Sequence, residues 1–396
     1  MKKLMFLMAL ISVVSNAEIT VNDTRGTKNI SANTKSIDDM AVNGDGAYKN
    51  EGEPEKMDYT KFLNGYSVSG DGIVFENSHV IDLNGEYNSG IVINNNASAG
   101  NTGIINIYGK GGIGLFSGDG TGLLVNNQTG IINVSNSGIG MSSAAWPYNT
   151  FTGSIRNDGT ITINGSGTGI KVSGDVDAEG GTVVNNGRIE LNGGGDSTGV
   201  YVGEHNTFTN NGEIIGTTTG TEETTLISGI NQAQIINSAD GILRGTNNAN
   251  GIKIENMYNT YKSKVTNDGY ILTENGYGIF VSGADVVNNG VISSGTVGIK
   301  STKYSGEAPS STVTNNGIIQ VQENAIGIQG IVSAVENNGI IEINGNNATG
   351  ILIKGYLNEP NATLVNNADI TAGQDKQNVI LLKATGSGTA GAGNAD

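Results

Sequence analysis

From about Asn77 onward, apolar residues alternate with polar ones in short runs. One run shows Ile105 and Ile107 around Asn106, Ile132 and Val134 around Asn133, and Ile161 and Ile163 around Thr162. Further along, Ile189 and Leu191 flank Glu190, Ile319 and Val321 flank Gln320, and Ile341 and Ile343 flank Glu342. A period of two with one apolar face predicts a half-buried strand. A second run follows a short glycine turn, as in Gly169-Ile170-Lys171-Val172, Gly199-Val200-Tyr201-Val202, Gly278-Ile279-Phe280-Val281 and Gly350-Ile351-Leu352-Ile353. A third carries Val183, Phe208, Val265, Val286, Val313, Val335 and Leu364, each two residues before an Asn. Glycine density and β-branched residues throughout exclude helix.

The three runs recur as one phrase around an Asn-Asn/Asp-Gly corner. Good copies end at Gly159, Gly187, Gly212, Gly269, Gly290, Gly317 and Gly339; degenerate ones end at Gly103, Gly130, Gly241 and Ala368, and the series begins at His79. The spacing varies, with corners 21 residues apart at 269 and 290 but 29 apart at 130 and 159. A coil whose loops differ in length tolerates this; a heptad does not. An isolated Asn-Gly would signal a hairpin, but hairpins give no reason for a three-strand phrase to recur. The expected fold is all-β: a right-handed parallel β-helix of about 12 rungs, each of three short strands. With strands stacked about 4.8 Å apart, such a rod is about 55–60 Å long. The corner glycine is expected at positive φ, beside an Asn that tolerates the left-handed region. Asn over Asn in successive rungs can also form a hydrogen-bonded ladder.

The ends of the chain break this pattern. Lys2 and Lys3, the apolar run Leu4 to Val14, and Ser15-Asn16-Ala17 before Glu18 make residues 1–17 a signal peptide. The apolar run is too short for a transmembrane helix. Residues 18–65 carry no corner and read as a leader or an N-terminal cap, 66–384 as the β-helix, and the Gly/Ala-rich 385–396 as linker. Composition agrees with a narrow core: 62 Gly against 4 Pro and 1 Trp, with only 5% aromatics. Net charge is −16, which leaves no basic footprint for nucleic acid. There is no Cys, so an exported chain of this kind is held by hydrogen-bond ladders and a stacked core, not by disulfides.

A signal peptide followed by Asn-Asn-Gly-Ile-Ile rungs resembles the passenger region of Gram-negative type V secreted proteins, the autotransporters and their filamentous relatives. The resemblance covers residues 1–17 and about 77–384. It implies a location at the cell surface, the outer membrane or outside the cell, and work as an adhesin or structural spacer. The implied partners are an outer-membrane β-barrel translocator, of whose alternating, aromatic-girdled strands this chain carries none, and a ligand on a host cell, matrix or neighbouring cell.

Secreted β-helices also include polysaccharide-active enzymes, which are the alternative reading. Glycoside hydrolysis needs two positioned carboxylates. The acid clusters Asp175-Val176-Asp177-Ala178-Glu179 and Glu222-Glu223 each lie within one loop. His79 falls in a corner and His205 in a loop, and both read as solvated or structural. Gly195-Asp196-Ser197 aligns with the glycine turn of another rung, Gly165-Ser166-Gly167-Thr168-Gly169, and so reads as a turn, not a nucleophile. Gly118-Asp119-Gly120 is a weak calcium turn, having one acid alone. No catalytic residue, metal or cofactor is assigned, and no enzyme activity is expected.

Two features are candidates for binding. The outward row of the second strand is expected to run Lys171, Tyr201, Ile227, Lys253, Phe280, Lys300, Gln329, Leu352, an exposed stripe of apolar and basic residues. The long insertions between second and third strands, at 142–150, 256–264, 302–311 and 355–363, carry Trp146, Tyr148, Tyr258, Tyr261, Tyr304 and Tyr356. Solenoids often bind through insertions on one edge. Trp146, Tyr148, Tyr258, Tyr261, Tyr304, Tyr201 and Phe280 are therefore the candidate ligand contacts. The competing readings are ordinary outward β-propensity for the stripe and aromatic pinning of long loops for the insertions.

Overall fold

A computed structural model describes residues 19–21, 28–31, 64–71, 73–78, 80–83, 86–143, 151–174, 179–193, 196–219, 223–256, 261–303, 309–356, 362–373 and 378–385. Among them there is no helix. Three sheets of 13, 14 and 12 strands are stacked, each strand pairing with the equivalent strand of the next rung, and every pairing is parallel. One rung consists of Thr160–Asn164 in the first sheet, Gly167–Val172 in the second and Thr182–Asn185 in the third. The fold is a parallel β-helix with three strands per rung.

The register follows the apolar alternation. Ile161 stands between Ile132 and Ile189, Ile170 between Met141 and Val200, and Val183 between Ile155 and Phe208. Ile161, Ile163, Ile170 and Val172 are fully buried and Val183 nearly so, while Thr162 is half-buried and Lys171 exposed. Burying one such side chain is worth about 1.5–3 kcal/mol. Five of them cannot offset the ordering of a whole rung at about 1–2 kcal/mol per residue. Stability therefore comes from stacking, where each rung's backbone and apolar residues are covered by two neighbours.

The corner glycines correct one expectation. Gly159, Gly187, Gly212, Gly290, Gly317 and Gly339 do not lie at positive φ. What excludes a side chain is close approach: a Cβ on Gly290 would come within 2.1 Å of the Gly269 carbonyl oxygen one rung away. The left-handed region is used instead by other residues, such as Asn136, Asn247 and Gly165.

The first Asn of each corner points inward, and twelve of them form one column. From Asn77 through Asn101, Asn126, Asn157, Asn185, Asn210, Asn237, Asn267, Asn288, Asn315 and Asn337 to Asn366, each Nδ2 donates to the next Oδ1 at 2.7–2.9 Å. The second Nδ2 hydrogen of Asn185 reaches the Gly187 carbonyl of its own corner at 3.4 Å, and that of Asn210 the Gly212 carbonyl at 3.1 Å. The ladder anticipated from sequence is thus present, and it is buried from Asn77 to Asn337, with Asn366 exposed at its end. The second Asn of the corner makes a separate, exposed column with the opposite sense. Asn211 donates to Asn186 and Asn186 to Asp158; Asn367 donates to Asn338, then Asn316, Asn289 and Asp268 follow. Asn185 and Asn211 both lie at the corner but stand in different columns.

A glycine column opens the second sheet. A Cβ on Gly169 would meet the Gly199 carbonyl oxygen at 2.5 Å, and one on Gly327 the Gly350 oxygen at 2.5 Å. Two rungs depart from it: Val379 stands exposed over Gly350 in the last described rung, and Leu226 occupies the glycine position between Gly199 and Gly251, fully buried. Its Cδ2 fills the space left at Gly216, which pairs with Leu191 in the first sheet; a Cβ on Gly216 would lie 2.6 Å from it.

At the N-terminal side, Ile19–Val21 pairs with Val80–Leu83 and Lys28–Ser31 with Asn64–Ser69, so described parts of the stretch without corners add strands to the sheets. The final strand, Asn378–Thr385, pairs with Thr349–Tyr356 and reaches one residue into the segment read as linker.

Candidate functional site

The outward column of the second sheet runs, in register, Val92, Phe116, Ser142, Lys171, Tyr201, Ser228, Lys253, Phe280, Lys300, Gln329, Leu352 and Leu381. Ile227 does not belong to it: it pairs with Val200 and Ile252 and is fully buried, and Ser228 takes the outward place. Leu352, expected on the exposed stripe, is only 5% exposed, and Gln329 8%. What remains accessible is a shorter run from Lys171 to Lys300, with Tyr201 and Phe280 half-buried.

Within this run the charges are largely engaged by their neighbours. Lys171 Nζ lies 5.9 Å from the centre of the Tyr201 ring. Lys253 Nζ bonds Glu223 at 2.9 Å and sits 3.4 Å from Glu255. Burial alone would lower the Lys253 pKa, but the two carboxylates outweigh it and raise it. Lys300 Nζ stands 4.7 Å from the Tyr277 ring centre and 5.2 Å from that of Phe280, and donates to the Tyr277 hydroxyl at 3.2 Å. The two rings are 5.6 Å apart and tilted. Burial, with the Glu204 charge, raises the Tyr201 pKa. The result is two basic–aromatic clusters, Lys171/Tyr201 and Lys300/Phe280/Tyr277, separated by the Ser228 and Lys253 rungs. Such a surface can stack an apolar or sugar face while a cation contacts an adjoining acceptor.

The four long insertions follow strands ending at Ser143, Glu255, Thr302 and Tyr356 and precede strands starting at Ser154, Ser263, Thr312 and Thr363. All four therefore connect the second sheet to the third and leave from one edge. Trp146, Tyr148, Tyr258 and Tyr304 lie outside the described residues, as does the side chain of Tyr356. Tyr261 is half-buried, and its backbone carbonyl accepts from Asn256 Nδ2 at 2.8 Å. Tyr201 and Phe280 share the second-sheet face, three rungs apart, whereas Tyr261 lies two residues before the third-sheet strand Ser263–Asn267.

Sequence reasoning missed two features. Tyr277 opens its strand beside Phe280, at a position where the other rungs carry no recurrent aromatic letter. The residue directly after the corner glycine forms an outward apolar column, Ile242, Tyr270, Val291, Ile318, Ile340, in five consecutive rungs. Tyr270 is 48% and Ile340 44% exposed. The repeated apolar letter after Gly was the available signal.

Ser197 is buried with its hydroxyl 3.3 Å from that of Thr224, and Asp196 Oδ1 accepts from the Glu223 amide at 3.0 Å. Asp119 accepts from the Thr121 amide at 3.0 Å and its hydroxyl at 2.8 Å, closing its own turn. His205 lies at positive φ, φ 58°, while His79 and residues 175–178 lie outside the described residues. Among the described residues no group of three His, Asp or Glu side chains is arranged to hold a metal. No protein-family model, curated protein or solved structure matches the chain.

Proposed function

We propose that this chain is the exported passenger of a type V secreted protein, a surface rod that acts as an adhesin or spacer and works by binding, not catalysis. The observation that carries the reading is that all four long, aromatic-bearing insertions leave from the single edge between second and third sheets of a stacked rod. A solenoid held by its ladders needs no such loops to fold, which supports a binding role for the aromatic residues in their sequence. The Lys171/Tyr201 and Lys300/Phe280/Tyr277 clusters lie on the second sheet, from whose strand ends those insertions leave. The partner is a ligand on a host-cell, matrix or neighbouring-cell surface, and an outer-membrane barrel delivers the rod.

The test replaces Trp146, Tyr258, Tyr261 and Tyr304 together by Ser and measures adhesion beside circular dichroism on the same purified chain. Retained fold with lost adhesion supports the aromatic edge, since interfacial aromatic anchors cost about 2 kcal/mol or more when truncated. Full adhesion with an intact fold moves the contact to the second-sheet clusters. A parent chain that adheres to no surface leaves the spacer role. That role is tested by removing one whole rung, residues 186–210, and asking whether display distance at a cell surface shortens without loss of fold.

A further inference from the structure

Asn followed by Gly is the peptide sequence most prone to deamidation, because the unhindered glycine nitrogen can attack the Asn side chain. The rod contains such pairs in two settings. In the corners, Asn186-Gly187, Asn211-Gly212, Asn289-Gly290, Asn316-Gly317 and Asn338-Gly339 are locked. Each glycine N–H donates to the previous rung's inner Asn carbonyl, at 3.0, 3.0, 2.9, 2.9 and 2.9 Å respectively. Each Asn side chain meanwhile donates Nδ2 into the outer column. Neighbouring backbone crowds the glycines, with 2.1 Å from a Cβ on Gly187 or Gly290 to the nearest oxygen.

Asn164-Gly165 differs on each count. It forms the turn between first and second sheets, Asn164 is exposed, Gly165 lies at φ 87°, and nothing stands within 4 Å of a Cβ built there. The side chain of Asn164 is held by its oxygen: Asn192 Nδ2 donates to Asn164 Oδ1 at 3.2 Å. That contact polarises the carbonyl toward attack and stabilises the oxyanion that attack creates, while leaving the departing nitrogen outside the contact. Other turn pairs among the described residues are crowded: a Cβ on Gly193 would lie 2.7 Å from the Thr217 carbonyl oxygen, one on Gly276 2.0 Å from that of Ala249, and one on Gly345 2.1 Å from the Glu323 nitrogen.

We infer that Asn164 is a site of spontaneous modification in the folded rod, converting to aspartate and isoaspartate, while the corner Asn-Gly pairs are protected by the fold. The Gly165 nitrogen loses its proton and bonds to Asn164 Cγ, the Cγ–Nδ2 bond breaks and ammonia leaves. Water then opens the resulting succinimide at either carbonyl, giving Asp or isoAsp. The Asp product keeps an oxygen to accept from Asn192, as Asp158 and Asp268 already accept from Asn186 and Asn289. Conversion to Asp at 164 therefore adds a negative charge without breaking the neighbouring rung.

The test incubates the purified full chain in mildly alkaline buffer, folded and in parallel unfolded in urea, and quantifies deamidation at each pair by peptide mapping. In the folded chain Asn164 is expected to convert at least about tenfold faster than any corner Asn, because corner pairs react only when their rungs open. In urea the six pairs are expected to react at similar rates. Corner pairs converting as fast as Asn164 in the folded chain, or Asn164 reacting much faster in urea than folded, would overturn the inference. Asn192→Ala supplies an independent arm: it is expected to slow Asn164 in the folded chain and to change nothing in urea. An unchanged folded rate in that variant rejects the polarising contact.

Discussion

Asn157 donates its Nδ2 to the Oδ1 of Asn185 across 2.7 Å, with both side chains fully buried and one rung apart. Neither amide reaches water, so each depends on the rung on either side for its partners. A buried polar column of this kind stabilises only when every member is satisfied. It makes neighbouring rungs interdependent through more than apolar contact.

Interrupting the column should therefore be costly. Asn210→Ala removes the acceptor of Asn185 and the donor to Asn237 and Gly212. Leaving those groups buried and unpaired is expected to destabilise the chain by about 2–4 kcal/mol. The adjacent Asn211→Ala, in the exposed column, should cost about 0.5 kcal/mol or less. Urea denaturation of the two variants side by side checks the contrast, and equal midpoints would refute it.

Close approach and positive φ make different demands at Gly290. Were the backbone left-handed there, Asn would be tolerated better than Ala. With the Gly269 oxygen 2.1 Å from any Cβ, Gly290→Ala and Gly290→Asn should be alike, each destabilising by about 1–3 kcal/mol. Melting temperatures in which Asn rescues Ala would restore the left-handed corner.

Leu226 and Gly216 form a matched exchange of bulk between sheets. Leu226→Ala is expected to cost about 2–5 kcal/mol as a cavity, and Gly216→Leu alone to be destabilising by overlap. Combining Gly216→Leu with Leu226→Gly restores the usual pattern. The pair should be less damaging than the sum of its parts by about 0.5–3 kcal/mol, the coupling expected of contacting residues. Additive losses in denaturation would show that the two do not share the space.

Glu76 supplies a pH dependence. Its carboxylate lies over Gly100 and accepts from Asn127 Nδ2 at 2.9 Å. Burial raises its pKa, against the hydrogen bonds from Asn127 and Thr102 that pull it down. A carboxyl whose pKa is raised by folding is more readily ionised in the unfolded chain. It opposes folding above its folded pKa, and that penalty fades as pH falls to the ordinary carboxylate value. Glu76→Gln should thus be the more stable chain at about pH 7.5 and lose that advantage near about pH 4. A stability difference that grows on acidification would reverse the sign and reject the argument.

Much of this architecture was legible because rung geometry leaves period-two alternation, an Asn and a glycine in fixed order. The inward positions Ile161, Ile163, Ile170, Val172 and Val183 followed from that alternation alone. Ile227 was misread because its rung lacks the landmark: Leu226 stands where the glycine should be, and the compensating Gly216 lies in another strand. The corner glycines revealed that no side chain fits, but a sequence does not tell a forbidden torsion from a carbonyl one rung away. The site was less legible still. Tyr201 and Phe280 were found as outward rings, whereas the pairing of Lys300 with Tyr277 depends on register between rungs, which no single rung encodes.

Three of the outward Asn runs have a beginning that is acidic. Asn211 and Asn186 lead to Asp158; Asn367, Asn338, Asn316 and Asn289 lead to Asp268; Asn133 and Asn106 lead to Asp82 on the first sheet. In each run the amides hand their hydrogens toward the N-terminal end, so the last member receives and passes nothing on. An ionised carboxylate only accepts, which suits that place and no other in the run. Aspartate thus acts as a full stop written into a repeat of asparagines: it marks where one run of relayed hydrogens closes, and moving it by a rung would split the run in two.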